Sequence, residues 1–127
     1  MAKKIVLVDT NVLINAYRRD KYAVSIIEQL KGRIAIRIIT AMELYQGCNE
    51  KKIKQLTQQL KVYSMVNVSS RTMIIALELI KSHLRQGLTL ADAIIAASAL
   101  ENNLELETFN KKDFNFIKGI RFHRSSK

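Results

Sequence analysis

Apolar residues recur along this chain with two alternating spacings, one suited to strands and one to helices. Lys4 to Val8 ends in a continuous run rich in valine and isoleucine, as in a strand buried on both faces. Residues 11–17 and 21–31 carry helical spacing, with Ile26, Ile27 and Leu30 on one face. Ile34 to Ile39 predicts a second strand, and Thr40 to Gly47 a helix stopped by its glycine. Residues 50–61 place Ile53, Leu56 and Leu60 together and polar residues elsewhere, which puts that helix on the surface. Val62 to Val68 predicts a third strand. Residues 70–86 predict a helix through Met73, Ala76, Leu77, Ile80 and Leu84. Residues 90–101 are apolar nearly all round, so this helix is expected at the centre. Leu104 to Thr108 alternates, as a half-exposed strand would, and a short last strand covers Ile120 to Phe122. The interleaving defines an α/β fold with a mostly parallel sheet covered by helices. Proline is absent, and the four glycines fall where periodic segments end, so a single domain over residues 1–127 is expected.

Three carboxylates stand inside apolar runs. Asp9 closes Ile5-Val6-Leu7-Val8, Glu43 interrupts Ile38 to Leu44, and Asp92 interrupts Leu88 to Ala97. A charge removed from water must be paired or bound to a metal, and these runs contain no Lys, Arg or His. In open α/β sheets, ligands bind outside the carboxyl ends of the strands. Asp9 ends the first strand, Glu43 follows the second by about one helical turn, and Asp92 opens the central helix. All three can therefore meet at one sheet edge. Each also has a capping role open to it: Asp9 as an N-cap, Thr40-x-x-Glu43 as a capping box, and Thr89-x-x-Asp92 as a looser version. The roles are compatible, because a helix N-terminus keeps a carboxylate ionised. Asp113 follows the last clear strand and comes within reach of the same edge, with a solvated turn residue as its simpler role. The other seven acids read as surface charge, Glu105 and Glu107 among them. Oxygen ligands alone suit Mg²⁺ or Mn²⁺.

Charge supplies the partner. Lys and Arg total 21 against 11 Asp and Glu, a net charge of +10, which points to a polyanion: nucleic acid first, an anionic membrane second. Cys48 is the single cysteine, so no disulfide forms within the chain, in keeping with a reducing, cytoplasmic setting. No apolar run approaches the roughly 18 residues of a membrane span. His83 and His123 are isolated, and no Gly-rich phosphate loop is present. A non-catalytic basic nucleic-acid-binding module is the main rival to a metal-dependent enzyme. A phosphomonoesterase using Asp9 as nucleophile would want a second acid two residues on, where Asn11 stands.

Asp9-Thr10-Asn11-Val12-Leu13-Ile14 resembles the opening signature of the PIN-domain family. Glu43-Leu44-x-x-Gly47 resembles its second motif, Asp92-Ala93-x-Ile95-Ala96-Ala97-x-Ala99-Leu100 its third, and Thr108-x-Asn110-x-x-Asp113-Phe114 its last. The matches come in order across residues 5–122, and the chain is similar to VapC-type toxin ribonucleases of prokaryotic toxin–antitoxin pairs. The resemblance implies a three-layer α/β/α fold and an endoribonuclease dependent on Mg²⁺ or Mn²⁺, in which activated water hydrolyses RNA phosphodiesters. It also implies a homodimer inhibited by a small antitoxin. Asp9, Glu43, Asp92 and Asp113 would hold one or two ions, and Thr10, Asn11, Thr108 and Asn110 would orient them by hydrogen bonds. Arg18, Arg19, Lys21, Lys111 and Lys112 are candidate phosphate contacts, and Tyr17, Tyr45 and Phe114 candidate stacking surfaces for unpaired bases. The chain departs from the family pattern at Glu107, where an apolar residue is usual. That strand is therefore expected to be less buried.

Overall fold

A four-stranded, wholly parallel sheet runs through the protein in the order β3-β2-β1-β4. The computed structural model describes residues 4–124. The strands are β1 (Val6–Val8), β2 (Ile34–Arg37), β3 (Ser64–Val66) and β4 (Glu105–Glu107). Helices α1 (Thr10–Tyr17) and α2 (Lys21–Gln29) join β1 to β2, and α3 (Ile38–Gln46) and α4 (Ile53–Leu60) join β2 to β3. Helices α5 (Ser70–Ser82) and α6 (Leu90–Glu101) lead to β4.

Successive strand side chains point to opposite faces, and this sorts the core in two. Val6, Val8, Ile34 and Ile36 pack with Val12, Leu13, Ile26 and Leu30 on one side. Leu7, Ala35 and Leu106 pack with Ile95, Ala96 and Phe114 on the other. The result is the α/β/α sandwich that the resemblance implies. Helix α6, apolar all round, is buried from Ala93 to Ala99 and packs on α5 through Ala76.

Several boundaries move for physical reasons. All four strands are shorter than their apolar runs, and Ile120 to Phe122 makes a single bridge, Phe122 to Leu106, in place of a strand. Leu106 N donates to Arg121 O at 2.8 Å and His123 N to Leu106 O at 2.9 Å, so this segment covers the outer edge of β4. Strand β4 is consequently not half-exposed: Leu106 is fully buried and Glu107 is 3% exposed. The expected surface position of Glu107, and the expected loosening of its strand, are both wrong. Helix α3 starts at Ile38, because β2 passes into it directly with Arg37 at the N-cap and no side-chain cap bond. The Thr40-x-x-Glu43 capping box does not form; the Thr40 hydroxyl is buried against Thr10 instead. The predicted helix over 70–86 divides, with a separate turn at Leu84–Gln86 closed by Gly87 at φ 70, a left-handed conformation that suits glycine.

Phe114 follows the Lys111–Asp113 turn and is fully buried between α6 and the sheet. Phe114→Ala should cost about 3–5 kcal/mol of folding stability, read from urea denaturation, because the cavity lies in a layer that cannot collapse easily.

Candidate active site

The site begins where β1 ends. Asp9 keeps extended backbone and caps α1, its Oδ1 accepting from Thr10 N at 2.8 Å. Its Oδ2 accepts from Thr108 Oγ1 at 2.9 Å. Asp9 N donates to Glu107 O at 2.9 Å, so the ends of the neighbouring strands β1 and β4 are fastened together. Thr10 Oγ1 donates to Glu43 Oε1 at 3.0 Å and pairs with Thr40 Oγ1 at 2.8 Å. Residues from β1, α1, α3 and β4 thus converge on one edge. Asp92 joins from the first turn of α6, where its N–H donates to Thr89 Oγ1 at 3.1 Å, the looser cap expected from the sequence.

None of these acids is a core residue. Asp9 and Asp92 are half-buried and Glu43 is exposed. The apolar runs face inward, while each acid stands at a strand–helix junction or on a helix surface. The cation absent from the three runs lies one residue outside them. Arg37, the last residue of β2, is 3% exposed. Its Nη2 lies 4.0 Å from Asp9 Oδ1 and donates to Thr10 Oγ1 at 3.5 Å. Its Nε and Nη1 are buried with no hydrogen-bond partner.

The electrostatics tie the group together. Burial pushes the Asp9 carboxyl above the usual range; the Thr108 hydroxyl, Arg37 and the Thr10 N–H pull it back, and Glu43 adds to the rise. Burial also raises Asp92, with Thr89 opposing, Asp9 and Asp113 adding, and Arg37 opposing. Burial lowers Arg37, against the fields of Asp9, Glu43 and Asp92. Each of the four acids therefore feels at least one of the others. Among the described residues, no three Asp, Glu, His or Cys side chains already form a closed metal cage. The donor chemistry nevertheless fits a hard divalent cation. Every candidate ligand atom is a carboxylate oxygen with lone pairs to spare, and a cation would favour the charged forms that burial disfavours. Taking one up requires these side chains to close further.

The other candidates divide. Thr10 and Thr108 each hold a carboxylate. Among the described residues, the Asn11 and Asn110 side chains bond none: Asn11 Oδ1 is buried without a partner, and Asn110 contributes its backbone N–H to Thr108 Oγ1. Arg18, Arg19 and Lys21 are exposed at the α1–α2 corner, about 12 Å of helix from Asp9. Lys111 and Lys112 are exposed in the turn that carries Asp113. Tyr17 is exposed and Tyr45 half-buried, bonded to Thr57 at 2.7 Å. Phe114 is fully buried and offers no face to a base. Sequence reasoning passed over Tyr22 and Phe109, whose rings stack with centroids 5.7 Å apart beside an open pocket of about 440 Å³.

The sheet order, the layers and the acidic edge are those of a small α/β nuclease-type domain. The sequence pattern of the PIN domain matches residues 6–119, and the chain belongs to that family. It is 33% identical over 116 residues to Ribonuclease VapC1 of Methanocaldococcus jannaschii, across 89% of this chain and 81% of the relative. A solved toxin–antitoxin complex from Klebsiella pneumoniae superposes with a TM-score of 0.77 at 34% identity, over 91% of this chain and 94% of the other. VapBC2 from Rickettsia felis, solved with a DNA fragment from its promoter, gives 0.77 at 25% identity over 96% and 99%.

Glu107 borders the same pocket with its Oε1 buried and unpartnered, and burial, opposed by Lys111, pushes its carboxyl from 4.5 up to about 7. The unfolded chain ionises this group at a lower pH than the folded protein. Between about 4.5 and 7, folding therefore takes up a proton, and stability falls as pH rises; above about 7 the cost is constant. Glu107→Gln, which cannot ionise, should match the wild type below pH 4.5 and exceed it at pH 8 by on the order of 3 kcal/mol. Thermal melts across that range measure the difference.

Proposed function

We propose that this protein is a divalent-metal-dependent endoribonuclease of the VapC toxin type, acting on RNA in the cytoplasm and restrained by a small antitoxin. The convergence of Asp9, Glu43 and Asp92 around Arg37, with Thr10 and Thr108 holding two of the carboxylates, is the observation that carries it. Membership of the PIN family and the likeness to a named ribonuclease and to toxin–antitoxin complexes support the same reading.

Asp9, Glu43, Asp92 and Asp113 would hold the metal, with Mg²⁺ or Mn²⁺ favoured by ligands that are all oxygen. Bound there, a divalent ion supplies Lewis-acid polarisation of the phosphodiester and water of lowered pKa. The chain's own residues prepare that chemistry. Thr108 and the Thr10 N–H fix both oxygens of Asp9, and the Thr10 hydroxyl orients Glu43. In the hydrolysis, water adds to phosphorus and the P–O3′ bond breaks. The departing 3′ oxygen takes up a proton, leaving 5′-phosphate and 3′-hydroxyl ends.

Four acids repel a polyanion, and the basic surface offsets that field. Lys111 and Lys112 immediately precede Asp113, and Arg18, Arg19 and Lys21 form a second basic cluster at the α1–α2 corner. Exposed apolar side chains at Met42, Ile74, Leu77, Leu84 and Leu90 suit coverage by a partner, either the antitoxin or a second copy. Among the described residues, no helix is long and apolar enough to cross a membrane.

Asp9→Asn or Asp92→Asn should abolish cleavage of end-labelled RNA in Mn²⁺ while the circular dichroism melt stays cooperative. Full activity in either variant would remove the assignment. RNA affinity of the Asp92→Asn protein should fall with salt, at a log–log slope of about −0.7 per phosphate contacted. A flat response in fluorescence anisotropy would rule out the basic surface as the RNA contact.

A further inference from the structure

We propose that Arg37 is a resident counter-cation of the acidic site, holding the carboxylates together when no divalent ion is bound and weakening the binding of one. The proposal rests on the acids forming a divalent-cation site. Three observations support it. First, Arg37 ends a strand whose other residues, Ile34, Ala35 and Ile36, are core residues, and it is itself buried, so it is not a solubilising surface charge. Second, its only described carboxylate contact is loose. A structural Arg–carboxylate pair is bidentate at about 2.7–2.9 Å, whereas Nη2 stands 4.0 Å from Asp9 Oδ1, and Nε and Nη1 donate to nothing. What matches the site is therefore the charge of the guanidinium, not its hydrogen-bond fork. Third, that charge is felt by Asp9, Glu43 and Asp92 together, carboxylates from three separate elements.

Two consequences of opposite sign follow from this placement. Without a metal, neighbouring carboxylates repel one another, and Arg37 offsets the repulsion. With a metal, the same fixed positive charge repels the incoming ion, and a guanidinium stays protonated across the working pH range. A residue that merely packs would contribute the same stability with and without metal and leave metal affinity unchanged.

The test compares the wild-type chain with Arg37→Gln in two measurements: calorimetric Mn²⁺ titration, and thermal melts in EDTA and in saturating Mn²⁺. The Gln variant should melt several degrees lower in EDTA, bind Mn²⁺ about tenfold or more tightly, and gain more stability from Mn²⁺ than the wild type. Mn²⁺ affinity that is unchanged or weaker overturns the proposal, as does an equal loss of stability in both media. If the Gln variant does not fold in EDTA, recovery in Mn²⁺ supports the proposal and failure in both media overturns it. Arg37→Lys, which keeps the charge, should retain wild-type Mn²⁺ affinity, and loss of that affinity overturns it too. A wild-type chain that takes up no Mn²⁺ removes the cation site itself, an outcome distinct from binding that Arg37 does not affect.

Discussion

One buried hydroxyl ties the candidate site to the fold. Thr10 Oγ1 is 3.0 Å from Glu43 Oε1, 2.8 Å from Thr40 Oγ1 and 3.5 Å from Arg37 Nη2. A hydroxyl has one proton to give and two lone pairs to receive. Its proton goes to the carboxylate, so the Thr40 hydroxyl must donate to it, and Arg37 occupies the remaining lone pair. That valence is full. The first residue of α1 is thereby joined to the end of β2 and to two turns of α3, which lie 27 to 33 positions away. Thr108 performs the matching task across the sheet, joining the end of β4 to Asp9 over 99 positions. Short strands of three or four residues do not by themselves hold an edge rigid, and these side-chain bonds complete what the backbone ladder leaves open.

The layer architecture was legible because it depends on local periodicity. Runs such as Ile5 to Val8 and Ile34 to Ile36 cannot face water on either side, and a helix apolar all round such as α6 must lie in the middle. What the sequence concealed depends on contacts between distant segments. Thr40-x-x-Glu43 has the spacing of a capping box, but the Thr40 hydroxyl is committed to Thr10, so the spacing misplaces the start of α3. Glu107 alternates as a surface residue would, yet it is 3% exposed, in a strand whose outer edge at Leu106 is covered by Arg121 and His123. The acids looked buried because their neighbours are apolar, when in fact those neighbours turn inward and leave the carboxylates at the rim.

Arg37 illustrates why pairing of charges is harder to read than burial. It ends an apolar strand and belongs to none of the four motifs, so nothing local marks it as part of the site. Only the parallel pairing of β1 with β2, Val6 opposite Ile34 and Leu7 opposite Ala35, brings the end of β2 beside Asp9. Register is thus the quantity that converts an unremarked arginine into a neighbour of the acids. A shift of one residue would turn every β2 side chain to the other face and separate the two charges.

The same geometry sets up a conflict in the charges of the site. Burial and the repulsion between the acids oppose ionisation of Asp9 and Asp92, burial opposes that of Arg37, and the attraction between Arg37 and the acids favours the charged forms. A protein selected for stability alone would replace such a group with apolar residues, since buried ion pairs seldom repay their desolvation. Here the acids also remain at the rim, where solvent and ligand can reach them, and Arg37 retains two unpaired donors behind them. A site tuned only for folding would close those bonds. A guanidinium that serves the site by its charge, as proposed above, can leave them open.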